Sequence, residues 1–230
     1  MNIIFDIGFN LGEFSAIALQ KYPSATIIGV DANPAFNNVE TASNITFLNR
    51  LVSHTDNQMR PLFIDPRQPG ISTASEKFLS SSRFKKGSKY LEEESSSWSH
   101  KIIVPTITLD TLISRYGNPD FIKIDVEGYE NEVLSGLSQK SGTVCFEWHE
   151  EMLEVALECL AKLQKLGYTE CGVIGYIENR QDTSILTHND AGDPYLEEPT
   201  HYVTIEEMEK ELVRVCDKNR RINYGMCFVK

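Results

Sequence analysis

Short apolar runs bounded by turn residues recur along the chain: "IIFDI", "TIIGVD", "ITFLN", "FIKIDV", "TVCFEW" and the closing "YGMCFVK". Runs of this length, rich in β-branched residues, read as buried strands. Between them "GEFSAIALQKY", "PAFNNVETA", "YENEVLSGL" and "EEMLEVALECLAKLQKLGY" repeat their apolar residues near the helical period. Continuous strands alternating with helices predict an α/β fold, a parallel sheet covered on both faces. A C-terminal helix is predicted at "IEEMEKELVRVCDKNRR", acidic first and basic last as the helix dipole favours.

One stretch breaks the alternation. "ISTASEKFLSSSRFKKGSKYLEEESSSWSH" is serine-rich and charged, and lies between a strand near "PLFID" and another at "HKIIVPTITL". A loop this long in a compact domain has a function or lacks order. It is expected to be an insertion at about 70–100 that serves as a flap over the site, or else a plain surface insertion.

The 230 residues suit a single domain spanning 1–230. No apolar run approaches the roughly 20 residues that cross a bilayer. The first apolar run stops at Asp6, too early for a secretory leader, so a cytoplasmic protein is expected. Cys145, Cys159, Cys171, Cys216 and Cys227 are odd in number and lack C-x-x-C spacing, which favours reduced thiols over disulfides or zinc. A formal charge of −11 opposes nucleic-acid binding, and the one basic stretch, "RFKKGSK", is followed closely by "EEE".

The chemistry gathers at strand ends, where open parallel sheets bind ligands. In "FDIGFNLGEFS", Gly8 and Gly12 permit a tight turn and close approach to a ligand, and Glu13 to Leu19 start a helix whose free N–H groups face the same cleft. A dinucleotide turn would read G-x-G-x-x-G, but Asn10 replaces the middle glycine and Asp6 precedes the turn. A cationic sulfonium with an amino-acid tail tolerates that carboxylate better than a pyrophosphate does. Asp31, ending "TIIGVD", is placed to accept both hydroxyls of a ribose. Alone it would read as a helix cap before Asn33 and Pro34. In "FIKIDVEGYENEV", Lys123 and Asp125 share one strand face, with Asp125 and Glu127 at the carboxyl end. The plainer alternative makes Asp125 a cap and Glu127 a dipole partner for the next helix.

Together "FDIGFNLGEFS", "GVDANP", "LVSHTDN", "TLDTLI", "DFIKIDVEGYENEVLSG" and "CFEWHEE" resemble the FkbM family of S-adenosylmethionine-dependent methyltransferases. That resemblance covers about Phe5 to Glu151. It implies a Rossmann-like class I methyltransferase, with a mostly parallel seven-stranded sheet, helices on both faces and a reversed final strand. It also implies O-methylation of a hydroxyl, often on a sugar or natural product. Members commonly carry sequence ahead of the first motif, whereas here the first strand starts almost at Met1. Carried over by position, Asp6, Gly8, Asn10 and Gly12, with Phe9, Glu13, Phe14 and Ser15, would hold the methionine part. Asp31, with Ala32 and Asn33, would hold the ribose, and Val52 with Ser53 the adenine. Asp125, Val126 and Glu127 would border the sulfonium. Phe9 stands where the family often has a smaller residue, and Ser53 and His54 read equally well as plain loop.

A sugar hydroxyl is a poor nucleophile, so a base is expected, with Asp125, Glu147 and His149 as candidates and Lys123 beside them. Asp125, Glu127, Glu147 and Glu150 offer the hard oxygen ligands that magnesium takes, although clustered acids more often start helices, and no metal is assigned. Trp98, Tyr129 and Trp148 are candidates to stack on a sugar ring, with core packing expected for at least one of them. The expected partner is a small-molecule or glycan acceptor; the sequence leaves open a lipid, polyketide or protein acceptor, a non-catalytic cofactor-binding role, and self-association.

Overall fold

The computed structural model describes residues 1–38, 41–84, 97–176, 185–189, 197–216 and 223–230. In chain order the elements begin with β1 (Ile3–Ile7), α1 (Glu13–Lys21), β2 (Thr26–Asp31), β3 (Ile45–Asn49), β4 (Leu51–Val52) and β5 (Met59–Ile64). Next come α2 (Glu76–Ser81), β6 (His100–Ile107), α3 (Leu109–Tyr116), β7 (Phe121–Ile124), α4 (Glu130–Leu134), β8 (Thr143–His149) and α5 (Leu153–Lys165). The chain ends with β9 (Glu170–Tyr176), β10 (Leu186–His188), β11 (Val203–Thr204), α6 (Ile205–Cys216) and β12 (Tyr224–Val229).

The main sheet runs β10-β9-β12-β8-β7-β1-β2-β3, with β11 attached to β9. β1 pairs in parallel with β2 and β7, while β12 lies antiparallel between β8 and β9. The fold is α/β with a reversed strand near one edge, but the sheet has nine strands where seven are expected. β10 and β11, drawn from a region without a strand pattern, make the difference. A second sheet, β4-β6-β5, forms from the stretch after β3.

Alternation along the strands divides the core between the two faces. Phe5 and Ile7 of β1 pack with Leu112 of α3, Val133 of α4, Leu160 of α5 and Leu212 of α6. Ile4, one residue out of phase, packs with Phe14 and Ala18 of α1 on the other face. Cys145 and Cys227 are buried in the sheet, where burial pushes their thiols up and leaves them as small apolar residues.

Two local expectations change. The helix predicted over 34–42 is a single 3-10 turn, Pro34–Phe36; Asn33 caps it by accepting from the Ala35 amide at 3.0 Å, and residues 39–40 lie outside the described part. The strand predicted through 109 stops at Ile107, because Thr108 turns to cap α3 by accepting from the Thr111 amide at 3.1 Å. Trp148 is the aromatic that takes the expected core-packing role, 1% exposed, and so offers no face to a sugar. The middle of the expected flap, 85–96 with most of "RFKKGSK", is outside the described residues. Its flanks form α2 and an isolated bridge between Phe63 and Thr73.

Candidate functional site

The turn from β1 to α1 has positive φ at Gly8 (82°), Asn10 (50°) and Gly12 (78°). Such a conformation suits glycine and is tolerated by asparagine. At Gly8 space is also decisive, since a Cβ would lie 1.8 Å from the Asp125 carbonyl oxygen. The Phe9 ring occupies the space over Gly12 and Gly29 and meets Phe47 edge-on at 5.2 Å. The bulky residue is thus accommodated by two glycines.

Beneath the turn Asp6 is buried. It accepts from Ser15 Oγ at 2.6 Å and faces Lys123 Nζ at 3.3 Å. Burial pushes the Asp6 carboxyl up, and Lys123 and the Ser15 hydroxyl oppose that rise. Lys123 is buried too; it donates to the Gly8 carbonyl at 2.7 Å and lies 3.6 Å from Asp125. Desolvation alone would lower its pKa, but the Asp125 and Asp6 carboxylates outweigh it and hold the amine protonated. One cation therefore ties the ends of β1 and β7 to the turn between them.

Asp31 ends β2, and its two oxygens accept from the Asn10 and Asn33 amides, each at 2.8 Å. Burial raises its carboxyl to about 6, against the lowering effect of those amides. A carboxyl held higher in the folded chain than in the unfolded one contributes stability below its unfolded pKa and loses it as pH rises through the folded value. Asp6 and Asp31 share this sign. Ligand-free protein is thus expected to show a melting temperature that rises as pH is lowered from 7 to about 5. Asp31→Ser should flatten part of that rise, and an unchanged slope in differential scanning fluorimetry would count against this environment for Asp31.

A cavity of about 280 Å³ opens over these groups. Of the residues singled out in the sequence, Gly8, Phe9, Asn10, Glu13, Phe14, Asp31, Ala32, Val52, Lys123, Asp125, Val126 and Glu127 line it. Asp6, Gly12, Ser15 and Asn33 do not; they brace the turn and the loop after β2. Ser53 does not either, and its hydroxyl lies 3.2 Å from the Tyr129 hydroxyl. Ile7, Leu11, Val30, Phe36, Arg50, Leu51 and Leu62 complete the lining with Pro69, Gly70, Ser72 and Ala74. The last four precede α2 and were illegible as ligand contacts, although Asn33 Nδ2 donates to Ser72 Oγ at 3.0 Å and pins them beside β2.

Next to Asp125 lies a second group of acids. Glu147 and His149 share a face of β8, with Nε2 and Oε2 2.8 Å apart. Glu147 also hydrogen-bonds Asp125 through its side chain. Burial pushes both Glu127 and Glu147 well up; their mutual repulsion adds to this for Glu127, and Asp125 adds to it for Glu147. Glu127 has φ 56°, and its carbonyl accepts from Thr73 Oγ1 at 2.8 Å. Arg83, at the flank of the insertion, hydrogen-bonds His149 Nδ1 and pairs with Glu151 at 3.1 Å. Glu147 and His149 do not line the cavity; they lie behind Asp125 and Glu127, which do. Glu150 is turned away, accepting from the Asn223 amide and side chain at 2.9 Å each, so it is not part of this group. Trp98 and Tyr129 are also outside the cavity lining; Trp98 Nε1 donates to the Ile71 carbonyl at 3.0 Å. No helix among the described residues is long and apolar enough to cross a membrane.

A family model described as the methyltransferase FkbM domain matches residues 6–170. Methyltransferase sdnD of Sordaria araneosa is 28% identical over 158 residues, which cover 60% of this chain and 61% of that protein. The chain thus matches less than two thirds of that relative's length. Among solved structures, methyltransferase FkbM from Methylobacillus flagellatus KT aligns at 14% identity and TM-score 0.45, over 75% of this chain and 39% of that one. Precorrin-6y C5,15-methyltransferase from Geobacter metallireducens GS-15 aligns at 10% identity and TM-score 0.44, over 99% of this chain and 78% of that one.

Proposed function

Because the chain belongs to the FkbM methyltransferase family, we propose that it is an S-adenosylmethionine-dependent O-methyltransferase acting on a hydroxyl of a sugar or glycan. The observation that carries this is a single cavity bordered by the Gly8 to Asn10 turn, by the carboxylate ending β2 and by the carboxylates following β7. The residues present fit S-adenosylmethionine. Asp31 offers acceptor oxygens to ribose hydroxyls, Phe36, Leu51, Val52 and Leu62 offer apolar contact to an adenine, and the turn brings backbone close to the methionine part. When bound, this group supplies an electrophilic methyl on a sulfonium.

The chain's own residues do the rest. Asp125 accepts a hydrogen bond from the acceptor hydroxyl and takes its proton as the oxygen attacks. Lys123 balances Asp6 and Asp125, so that the carboxylate is held at the cavity wall. Pro69, Gly70, Ser72 and Ala74 add a wall to the cavity and so narrow the space in which the two reactants are oriented. The density of acceptor oxygens beside Asp125 favours a polyhydroxylated acceptor over a greasy chain.

Calorimetry with S-adenosylhomocysteine tests the cofactor half. Hydrogen bonds to a charged group contribute about 1.5–3 kcal/mol, so Asp31→Ala is expected to weaken binding roughly 10–100-fold. No binding to the native chain would end the proposal. Transfer of labelled methyl to a panel of glycans, lipids, peptides and polyketides tests the acceptor, and labelling of the non-glycans alone would refute the sugar.

A further inference from the structure

Glu127, Glu147 and His149 each present one ligand atom within 4.8 Å of the other two. They come from two neighbouring strand ends. Glu147 and His149 alternate on one face of β8, and Glu127 is turned toward them by a left-handed backbone that a non-glycine residue rarely adopts. Oε2 of Glu127 is buried and accepts no hydrogen bond from the described residues. A buried carboxylate oxygen without a partner is costly, so something must satisfy it.

The neighbouring cations have other partners. Lys123 serves Asp6 and Asp125, and Arg83 spans Glu151 and the Nδ1 side of His149. Two carboxylates are left facing a single imidazole. We propose that Glu127, Glu147 and His149 bind a divalent cation whose open positions clasp the acceptor through two neighbouring oxygens, presenting one of them beside Asp125. This rests on reading the adjoining cavity as the cofactor site.

The donor set narrows the ion. Magnesium and calcium take oxygen ligands, whereas an imidazole with two carboxylates suits manganese, iron or zinc. Three protein ligands leave positions open for substrate, as in catalytic metal sites. Ligands about 2.0–2.2 Å from one ion lie at most about 4.4 Å apart, so small side-chain shifts close the triad. His149 must also change tautomer. The Arg83 guanidinium only donates, so Nδ1 accepts and Nε2 carries the ring proton toward Glu147. A cation takes that proton's place at Nε2 as the proton moves to Nδ1, and Arg83 falls back on Glu151.

The pairing has a consequence for the acceptor. An ion held beside Asp125 selects a vicinal diol, or a hydroxyl next to a carbonyl or carboxylate, over an isolated hydroxyl, because only the former supply two oxygens to the open positions.

Metal-stripped full-length protein, titrated with Mn²⁺ and followed by electron paramagnetic resonance and calorimetry, tests this. One equivalent is expected to bind, and water-proton relaxation should report exchangeable water on the bound ion. The E127Q/E147Q double variant should bind at least about 100-fold more weakly, since outer-shell changes alone cost roughly 10–100-fold. It should keep native circular dichroism. Absence of Mn²⁺ binding, or equal binding by the variant, overturns the metal site; a bound ion without exchangeable water overturns the clasp. S-adenosylhomocysteine binding without Mn²⁺ binding sinks this inference and leaves the cofactor reading standing; the reverse leaves the ion site alone and removes the cofactor reading together with the clasp that rests on it.

Discussion

Gly8→Ala is expected to destabilise the chain by about 4 kcal/mol and to reduce S-adenosylhomocysteine binding below detection, the sum of a backbone penalty and a collision. The φ of 82° costs an L-residue about 1–2 kcal/mol. The larger part is steric, because the added Cβ would sit 1.8 Å from the Asp125 carbonyl oxygen. Relief requires β1 and β7 to separate where the Ile7 carbonyl receives the Asp125 amide at 3.0 Å. Separation would pull Lys123 from the Gly8 carbonyl and disturb Asp125 and the turn together. Gly167 supplies the control. Its φ is 91°, but a Cβ added there would meet nothing within 4 Å, so Gly167→Ala carries the backbone penalty alone. Urea unfolding should therefore separate the two variants by about 2–3 kcal/mol, the cost of overpacking. Equal losses would show that the crossing at Gly8 is not tight.

What the sequence discloses and what it hides follow from the same physics. β1, β2, β7 and β8 are buried on both faces, so they read as uninterrupted apolar runs, and the chemistry at their ends follows directly from them. β9, "ECGVIGY", escapes notice because its glycines serve close packing, which leaves no side-chain signal. A Cβ at Gly175 would lie 2.7 Å from Gly225 Cα, and one at Gly172 would meet Pro199 and the His201 carbonyl. Close backbone approach there removes the apolar signature that identifies a strand. The cavity residues before α2 are hidden for another reason. Pro69 to Ala74 reach the site through tertiary contacts to Asn33 and Glu127, across separations that no local pattern encodes. Glu127 was legible as an acid at a strand end, but its conformation was not. Only the structure turns it toward Glu147 and His149 as well as toward the cavity.

Asp125→Asn is the second large effect: methyl transfer should fall about 10²–10⁴-fold, the usual contribution of a positioned base, while S-adenosylhomocysteine affinity stays within a few-fold. The amide keeps the size of the carboxylate and its place on the cavity wall but loses the negative charge and the ability to take a proton. Lys123 keeps Asp6 at 3.3 Å and the Gly8 carbonyl at 2.7 Å, so the turn should survive the change. The split between turnover and affinity is the informative quantity. A bracing role would weaken cofactor binding and turnover together, as Gly8→Ala does. A proton-accepting role depresses turnover alone, and more acidic acceptor hydroxyls, which need less help from a base, should recover part of the loss. Glu147 offers no escape from this outcome, because it does not line the cavity where the acceptor hydroxyl must sit. Native turnover in the asparagine variant would move the base elsewhere; a rate deficit that shrinks as the acceptor hydroxyl becomes more acidic would keep it at the end of β7.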